Sequence, residues 1–221
     1  MRYEIITIGL PLPFRLGSVN CYLLEIQDSY ILIDTGGSNN RAGLVRTLER
    51  AGCKPGSLKL IILTHGDFDH TGNAKYLRTE YGPKIMMHRD DAGMMEDGDM
   101  FVNRKKSNIL IKMVTTTLFG FGRSERCEPD STIEDGYDFA VHGFDAKALH
   151  LPGHSRGSIG VLTSDGDLFC GDLLENTKAP APNALMDDTV ALEASLEKLR
   201  GLAVKTVYPG HGRPFSMDML A

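Results

Sequence analysis

Two imidazoles and two carboxylates fall within six residues in the stretch Thr64-His65-Gly66-Asp67-Phe68-Asp69-His70-Thr71. Nitrogen and oxygen donors at that density suit zinc, iron or manganese, whereas calcium takes oxygen alone. The plainer alternative is a solvated turn, since Asp and Gly are common turn residues. Three further places repeat the same design. His154 stands in Pro152-Gly153-His154-Ser155, Asp172 follows Gly171, and His211 lies between Gly210 and Gly212. Each comes after an apolar run of strand length and adjoins glycine, which lets the backbone bend sharply and approach a ligand. One such histidine would pass as structural, but several in the same setting point to a shared centre.

The elements that must carry these residues can be read from periodicity and breakers. Tyr3 to Ile8 reads as a strand broken by Leu10-Pro11-Leu12-Pro13. Val19–Ile26 and Tyr30–Ile33 read as a hairpin ending in Asp34-Thr35-Gly36. A helix is expected from Asn40 to Ala51, with Leu44, Val45 and Leu48 on one face. Leu58–Leu63 is then a buried strand that delivers the His65 loop, and Ala74–Tyr81 a helix that leaves it. Ligand sites of α/β folds gather at such strand ends. Lys84–His88 is the next strand.

Residues 90–128 are the least regular part and read as an insertion or cap, with an amphipathic helix from Ser107 to Phe119. Arg104, Lys105 and Lys106 precede that helix and read as a solvated basic face, with contact to an anionic substrate as the alternative. Strands resume at Thr132–Glu134, Tyr137–His142, Lys147–Leu151, Ile159–Thr163 and Leu168–Cys170, the last ending at Gly171-Asp172. A helix from about Asp187 to Leu199 and a strand from Val204 to Tyr208 complete the chain.

Composition sets bounds on this picture. With 221 residues, 42% hydrophobic and 24% charged, the chain fits one α/β domain with an ordinary globular balance. A net charge of −5 disfavours a nucleic-acid partner, which needs a basic surface. Cys21, Cys53, Cys127 and Cys170 match no zinc-ribbon or C-x-x-C spacing and read as buried thiols of a reducing compartment. The N-terminus reads as no signal peptide, and no apolar run approaches the ~18 residues of a membrane span. A soluble, cytoplasmic protein acting on a small molecule is the expectation; its oligomeric state is not legible.

Taken in order, five pieces of this chain resemble the metallo-β-lactamase-fold hydrolases, close in style to glyoxalase II-like members. They are the opening hairpin with Asn20-Cys21-Tyr22 and Ile33-Asp34-Thr35-Gly36, the His65–His70 stretch, Pro152–Ser158, Gly171-Asp172, and Pro209-Gly210-His211-Gly212. The resemblance covers nearly the whole chain. It implies a four-layer αββα sandwich of two mixed β-sheets with helices on both outer faces. It also implies two divalent ions, zinc foremost, with iron or manganese as alternatives. His65, Asp67 and His154 would hold the first ion, and Asp69, His70 and His211 the second, with Asp172 bridging. Asp69 is expected to serve catalysis as well. In such a centre two cations share a water and lower its pKa, and the hydroxide attacks an electrophilic carbon or phosphorus. Asp34 is expected to orient a ligand histidine.

One departure stands out. The common pattern of that family is H-x-H-x-D-H, and here the second histidine is Asp67. A carboxylate suits a harder metal, and flavodiiron proteins of the same fold place a glutamate there. Asp67 either ligates or turns away and leaves a single ion on Asp69, His70, Asp172 and His211. Three carboxylates around two dications would make the bound water less acidic and displace activity to higher pH. The expected function is hydrolysis of a small ester-like substrate: a thioester, lactone or phosphoester. The alternatives are di-iron redox chemistry, a metal-holding binding protein with little turnover, and nucleic-acid processing, which the acidic balance disfavours.

Overall fold

The structure is a computed structural model that describes residues 3–12, 17–102, 104 and 125–220. Its centre is the hairpin of β2 (Ser18–Ile26) and β3 (Ser29–Ile33). β1 (Glu4–Pro11) pairs antiparallel with β2 along its whole length, from Glu4 opposite Glu25 to Pro11 opposite Ser18. The strand thus reaches three residues beyond its expected end at Ile8 and into the proline-containing break. Pro11 is its last residue and, among the described residues, β1 pairs with β2 alone, so the missing N–H leaves no ladder bond unmade there.

From β3 the sheet continues in parallel through β4 (Leu58–Ile62), β5 (Lys84–His88) and β6 (Ser131–Ile133). On the other side of β2 comes β11 (Thr206–Gly212), joined to it by the pairing of His211 with Val19. β9 (Asp167–Asn176), β8 (Ile159–Thr163) and β7 (Ala146–His150) follow. Two-residue strands β10 (Ala181–Pro182) and β12 (Phe215–Ser216) sit beside β9 and β11.

This hydrogen-bonded path is continuous, yet its two halves face one another. The alternation of side chains along a strand decides it. Tyr22, Leu24, Ile31, Ile33, Leu60 and Ile62 of the first half pack with Ala148, Val161 and Phe169 of the second in one buried cluster. Their neighbours Leu23, Leu32 and Ile61 point outward and meet Leu44 and Leu48 of α1 (Arg41–Arg50) and Leu77 and Tyr81 of α3 (Ala74–Tyr81). On the far face Leu168, Cys170, Leu174 and Val207 meet Leu192 and Leu199 of α5 (Thr189–Arg200). Two sheets with helices outside both make the αββα sandwich. Each fully buried aliphatic contributes about 1.5–3 kcal/mol, so truncating Leu48 to Ala would cost about 2–5 kcal/mol.

Four local expectations need correction. Phe139–His142 is a 3-10 turn instead of a strand, because Asp138 caps it by accepting from the Ala140 N–H and Gly143 ends it at φ 76°. β9 does not stop at Gly171-Asp172 but passes through a bulge there, with Gly171 at φ 52°, and runs to Asn176. β11 likewise continues through Pro209, Gly210 and His211 to Gly212. The first part of the region expected to be irregular is a helix, α4 (Arg89–Asp97). Its cap is the His88 side chain, which accepts from the Asp90 N–H, so the usual Ser, Thr, Asp or Asn signal is missing. The amphipathic helix expected over Ser107–Phe119 lies outside the described residues. Among the described residues all four cysteines are buried free thiols, and no helix is long and apolar enough to cross a membrane.

Candidate metal centre

β4 ends at Ile62, and the chain turns through Thr64–Asp67 into the one-turn helix α2 (Phe68–Thr71). That turn aims His65, Asp67, Asp69 and His70 at one space. His154 arrives from the loop after β7, Asp172 from the bulge in β9, and His211 from β11 beside it. All seven residues expected to form a centre therefore meet.

The distances fall in a narrow band. His154 Nε2 lies 3.1 Å from Asp67 Oδ2 and 4.0 Å from Asp172 Oδ2, and His65 Nε2 lies 3.8 Å from Asp67 Oδ2. His70 Nε2 is 3.3 Å from Asp172 Oδ1, while His211 Nε2 is 3.2 Å from Asp172 Oδ2 and 3.6 Å from Asp69 Oδ2. Ligand atoms about 2.0–2.2 Å from a shared ion stand roughly 3–4 Å from one another. Donors from His65, His154 and Asp172 come within 4.8 Å of each other, as do those from Asp69, His70 and His211. His65 Nε2, His70 Nε2 and Asp172 Oδ1 are buried and make no hydrogen bond. Orphaned polar atoms at the meeting point of four imidazoles and three carboxylates are what a cation would satisfy.

The other ring nitrogens are all engaged, which orients the free ones. His70 Nδ1 bonds Asp34 Oδ2 at 2.8 Å, His65 Nδ1 meets Thr64 Oγ1 at 3.0 Å, His154 Nδ1 bonds Leu185 O at 2.6 Å, and His211 Nδ1 bonds Ser18 O at 2.9 Å. Asp34 has φ 58° and also accepts from the Thr64 N–H and hydroxyl, each at 2.8 Å. It is thus both a turn residue and the support of His70.

The electrostatics call for positive charge. Burial opposes protonation of His70, but Asp172, Asp34 and Asp69 outweigh it and raise its pKa well above the ordinary value. His211, also buried, is pushed up to about 9 by Asp172. His65 goes the other way, lowered by burial and by His70 and His154. Burial raises Asp69, whereas Asp172 is held well below the usual carboxylate range by His211 and His70 against the cost of burial. The carboxylates thus favour positive charge on His70 and His211, while His65 is held neutral.

Two residues outside the expected set shape the centre. Arg104 was expected on a solvated face; its side chain is only 12% exposed and its Nη2 donates to Asp67 Oδ1 and Oδ2 at 2.8 and 3.1 Å. Burial would raise the Asp67 carboxyl, but Arg104, then His154 and His65, hold it well below the usual range. Asp91, on α4, is 1% exposed. It accepts from the Gly66 N–H (3.0 Å), the Ser155 hydroxyl (2.6 Å) and the Gly157 N–H (2.8 Å), and so ties the His65 loop to the His154 loop. Neither carries a sequence signal: Arg104 opens a basic run, and Asp90-Asp91 is a charged pair at the start of a stretch that reads as irregular.

His88 does not join the centre. It stacks on His150 with centroids 4.2 Å apart and planes 4° from parallel. Its Nδ1 caps α4, and His150 Nε2 bonds the Arg156 carbonyl at 2.8 Å, so structural bonds already claim that pair. Beside the centre lies a cleft of roughly 600 Å³ lined by Asp67, Asp69, His154, Asp172 and His211 together with Leu12, Phe68, Met100, Leu185 and others.

The family profile described as "Metallo-beta-lactamase superfamily" matches residues 14–211. The chain belongs to the metallo-beta-lactamase superfamily. Among curated members it is 28% identical over 160 residues to the hydroxyacylglutathione hydrolase GloC of Haemophilus influenzae, covering 70% of this chain and 66% of that one. It is 27% identical to the acyl-coenzyme A thioesterase MBLAC2 of Bos taurus, covering 91% of this chain and 75% of that one. A beta-lactamase-like protein 2 homolog of Caenorhabditis elegans is 27% identical, with 91% of this chain but 58% of that one covered. The chain thus spans less than two thirds of the length of the worm and Haemophilus members. Among solved members, TTHA1623 in a di-iron-bound form superposes with a TM-score of 0.72 at 27% identity, covering 98% of this chain and 96% of that one.

Proposed function

We propose that this protein is a metal-dependent hydrolase of a small ester-like substrate, with a thioester ahead of a lactone or phosphoester. The observation that carries the reading is the convergence of two ligand triads with orphaned buried atoms between them. His65, Asp67 and His154 would hold one divalent ion and Asp69, His70 and His211 the other, with Asp172 between them. Bound divalent ions supply Lewis acidity, which acidifies water and neutralises developing negative charge. The chain's own part is to fix those ions and to seat the substrate. Asp34, Leu185 O and Ser18 O hold three imidazoles so that one nitrogen of each faces the ligand space. Asp69 lines the cleft and is the carboxylate placed to hold a proton beside the reacting group. The cleft is of the size that takes a small molecule, and Leu12, Phe68, Met100 and Leu185 give it apolar walls suited to an acyl chain.

The thioester preference follows two relatives, named as a hydroxyacylglutathione hydrolase and an acyl-coenzyme A thioesterase. The metal pair is zinc or iron: the imidazoles accept either, the carboxylates favour the harder ion, and TTHA1623 is a di-iron-bound relative. Residues 1–221 would make up a single catalytic domain, with the 90–128 stretch as its cap or insertion. Elemental analysis of protein purified without added metal, coupled to thioester, lactone and phosphodiester assays, tests this. Two ions per chain and thioester turnover are expected. A metal-free protein with no gain of activity on adding zinc or iron refutes the reading, and two irons with oxygen consumption instead of hydrolysis favour redox chemistry.

A further inference from the structure

Asp67 carries a full charge where the common pattern has a neutral imidazole. Left alone, it would give the centre three carboxylates, Asp67, Asp69 and Asp172. It is not left alone. A single guanidinium nitrogen of Arg104 reaches both Asp67 oxygens. Arg104 is anchored in turn by Asp187, whose Oδ2 lies 3.0 Å from its Nε. Arginine cannot lose its proton at any ordinary pH, so this compensation is permanent. The guanidinium is directed at Asp67, with both carboxylate oxygens within 3.1 Å of its Nη2.

The lone pairs allow Asp67 to remain a ligand. Each carboxylate oxygen has two, and Arg104 takes one from each. The second lone pair of Asp67 Oδ2 points at His154 Nε2, 3.1 Å away, and lies 3.8 Å from His65 Nε2, so a cation replacing the His154 proton would find it there. His154 donates from Nδ1 to Leu185 O and meets Asp67 Oδ2 through Nε2 at 3.1 Å, so the Nε2 lone pair faces the same space once a cation displaces the proton it shares with Asp67. The Arg104 nitrogen is 3.5 Å from that Nε2, too long to claim the lone pair as a good hydrogen bond.

We propose that Asp67 and Arg104 work as one charge-neutral ligand unit. Arg104 is a positioning residue that steadies the Asp67 carboxylate against His65 and His154 and cancels the charge that distinguishes it from histidine. The inference rests on the metal centre proposed above. It revises the expectation of a less acidic bound water, because the net charge of the donor set returns to that of two carboxylates.

The test measures the content and affinity of zinc by chelator competition in the full chain and in Asp67→His, Arg104→Met and the double variant. The wild type is expected to hold two ions. Asp67→His leaves Arg104, paired then with Asp187 alone, against a neutral ring and weakens the more loosely held ion at least ~10-fold. Removing Arg104 as well restores affinity to within ~3-fold of wild type. A second loss of side-chain contacts would not restore binding in a protein that was merely destabilised. Asp67→Asn and Asp67→Asn/Arg104→Met give the same comparison without added volume, should the histidine variant fail to fold. A double variant as weak as the single one overturns the inference. So does a wild type that holds one ion and gains a second on losing Arg104, since the guanidinium would then be competing for the site. A wild type that binds no ion refutes the metal centre itself, a distinct result.

Discussion

Replacing Asp91 by Asn keeps the size and shape of the side chain and changes one oxygen into an amide nitrogen. The carboxylate accepts three bonds, from the Gly66 N–H, the Ser155 hydroxyl and the Gly157 N–H. An amide oxygen can serve one side of that set, and its NH₂ then faces a backbone N–H on the other. Whichever way it turns, one buried donor loses its partner. Three bonds to a charged acceptor would total about 4.5–9 kcal/mol at ~1.5–3 each. Burial also pushes the Asp91 carboxyl up, so removing its charge recovers part of that sum. The expected net cost is about 2–4 kcal/mol, dominated by the orphaned N–H. For a chain of this length that lowers Tm by about 5–15 °C. Because Asp91 ties the His65 loop to the His154 loop, zinc affinity should fall at the same time. Thermal melts followed by circular dichroism, paired with chelator competition, measure both. A Tm within about 2 °C of wild type would refute the view that this carboxylate staples the two loops.

Asp34→Asn retains a residue that tolerates the left-handed backbone but sets an amide N–H against one of its three donors, and metal affinity measured by chelator competition should fall about 10–100-fold. A Cβ at Gly210 would collide with Asp172 Oδ1 and His70 Cε1. Gly210→Ala should therefore cost about 1–3 kcal/mol in denaturant unfolding and displace two ligands, with loss of bound metal by elemental analysis. In the metal-free protein the His211–Asp172 pair raises the histidine to about 9. Its stabilisation should be fully present below about pH 6.5 and disappear as pH rises through 9, by at most ~3 kcal/mol in urea unfolding. Cation binding must expel that proton, so calorimetric titration in two buffers of different ionisation enthalpy should show proton release, and affinity should climb over the same interval.

The strands that build the sandwich were legible because their apolar runs are short, dense and bounded by Gly, Pro and Asp. The seven converging residues were legible because they sit in short stretches that follow such runs, five of them next to a glycine and Asp69 and His70 in the same dense cluster as His65 and Asp67. Other features were written in no local pattern. α4 is capped by a histidine and interrupted by Gly93, which hides its start and its periodicity. The bulge that sets Asp172 inside β9 depends on a register shift against β11, a tertiary matter. Phe139–His142 has the composition of a strand but is curled by its capping Asp138 and by Gly143. Arg104 and Asp91 are charged residues in charged surroundings of sequence. Only the fold reveals that each is buried against a loop more than twenty positions away.

Besides the apolar cluster between them, the two halves of the sandwich join edge to edge along a seam where β2 and β11 pair through Val19 and His211. Each ligand triad draws from both sides of that seam: His65 with His154 and Asp172, Asp69 and His70 with His211. An ion held there acts as a rivet, since neither half alone owns a complete set of donors. Breathing of the halves and escape of the ion become one event, and amide exchange in β11 should report on chelation as directly as any spectroscopic probe of the metal.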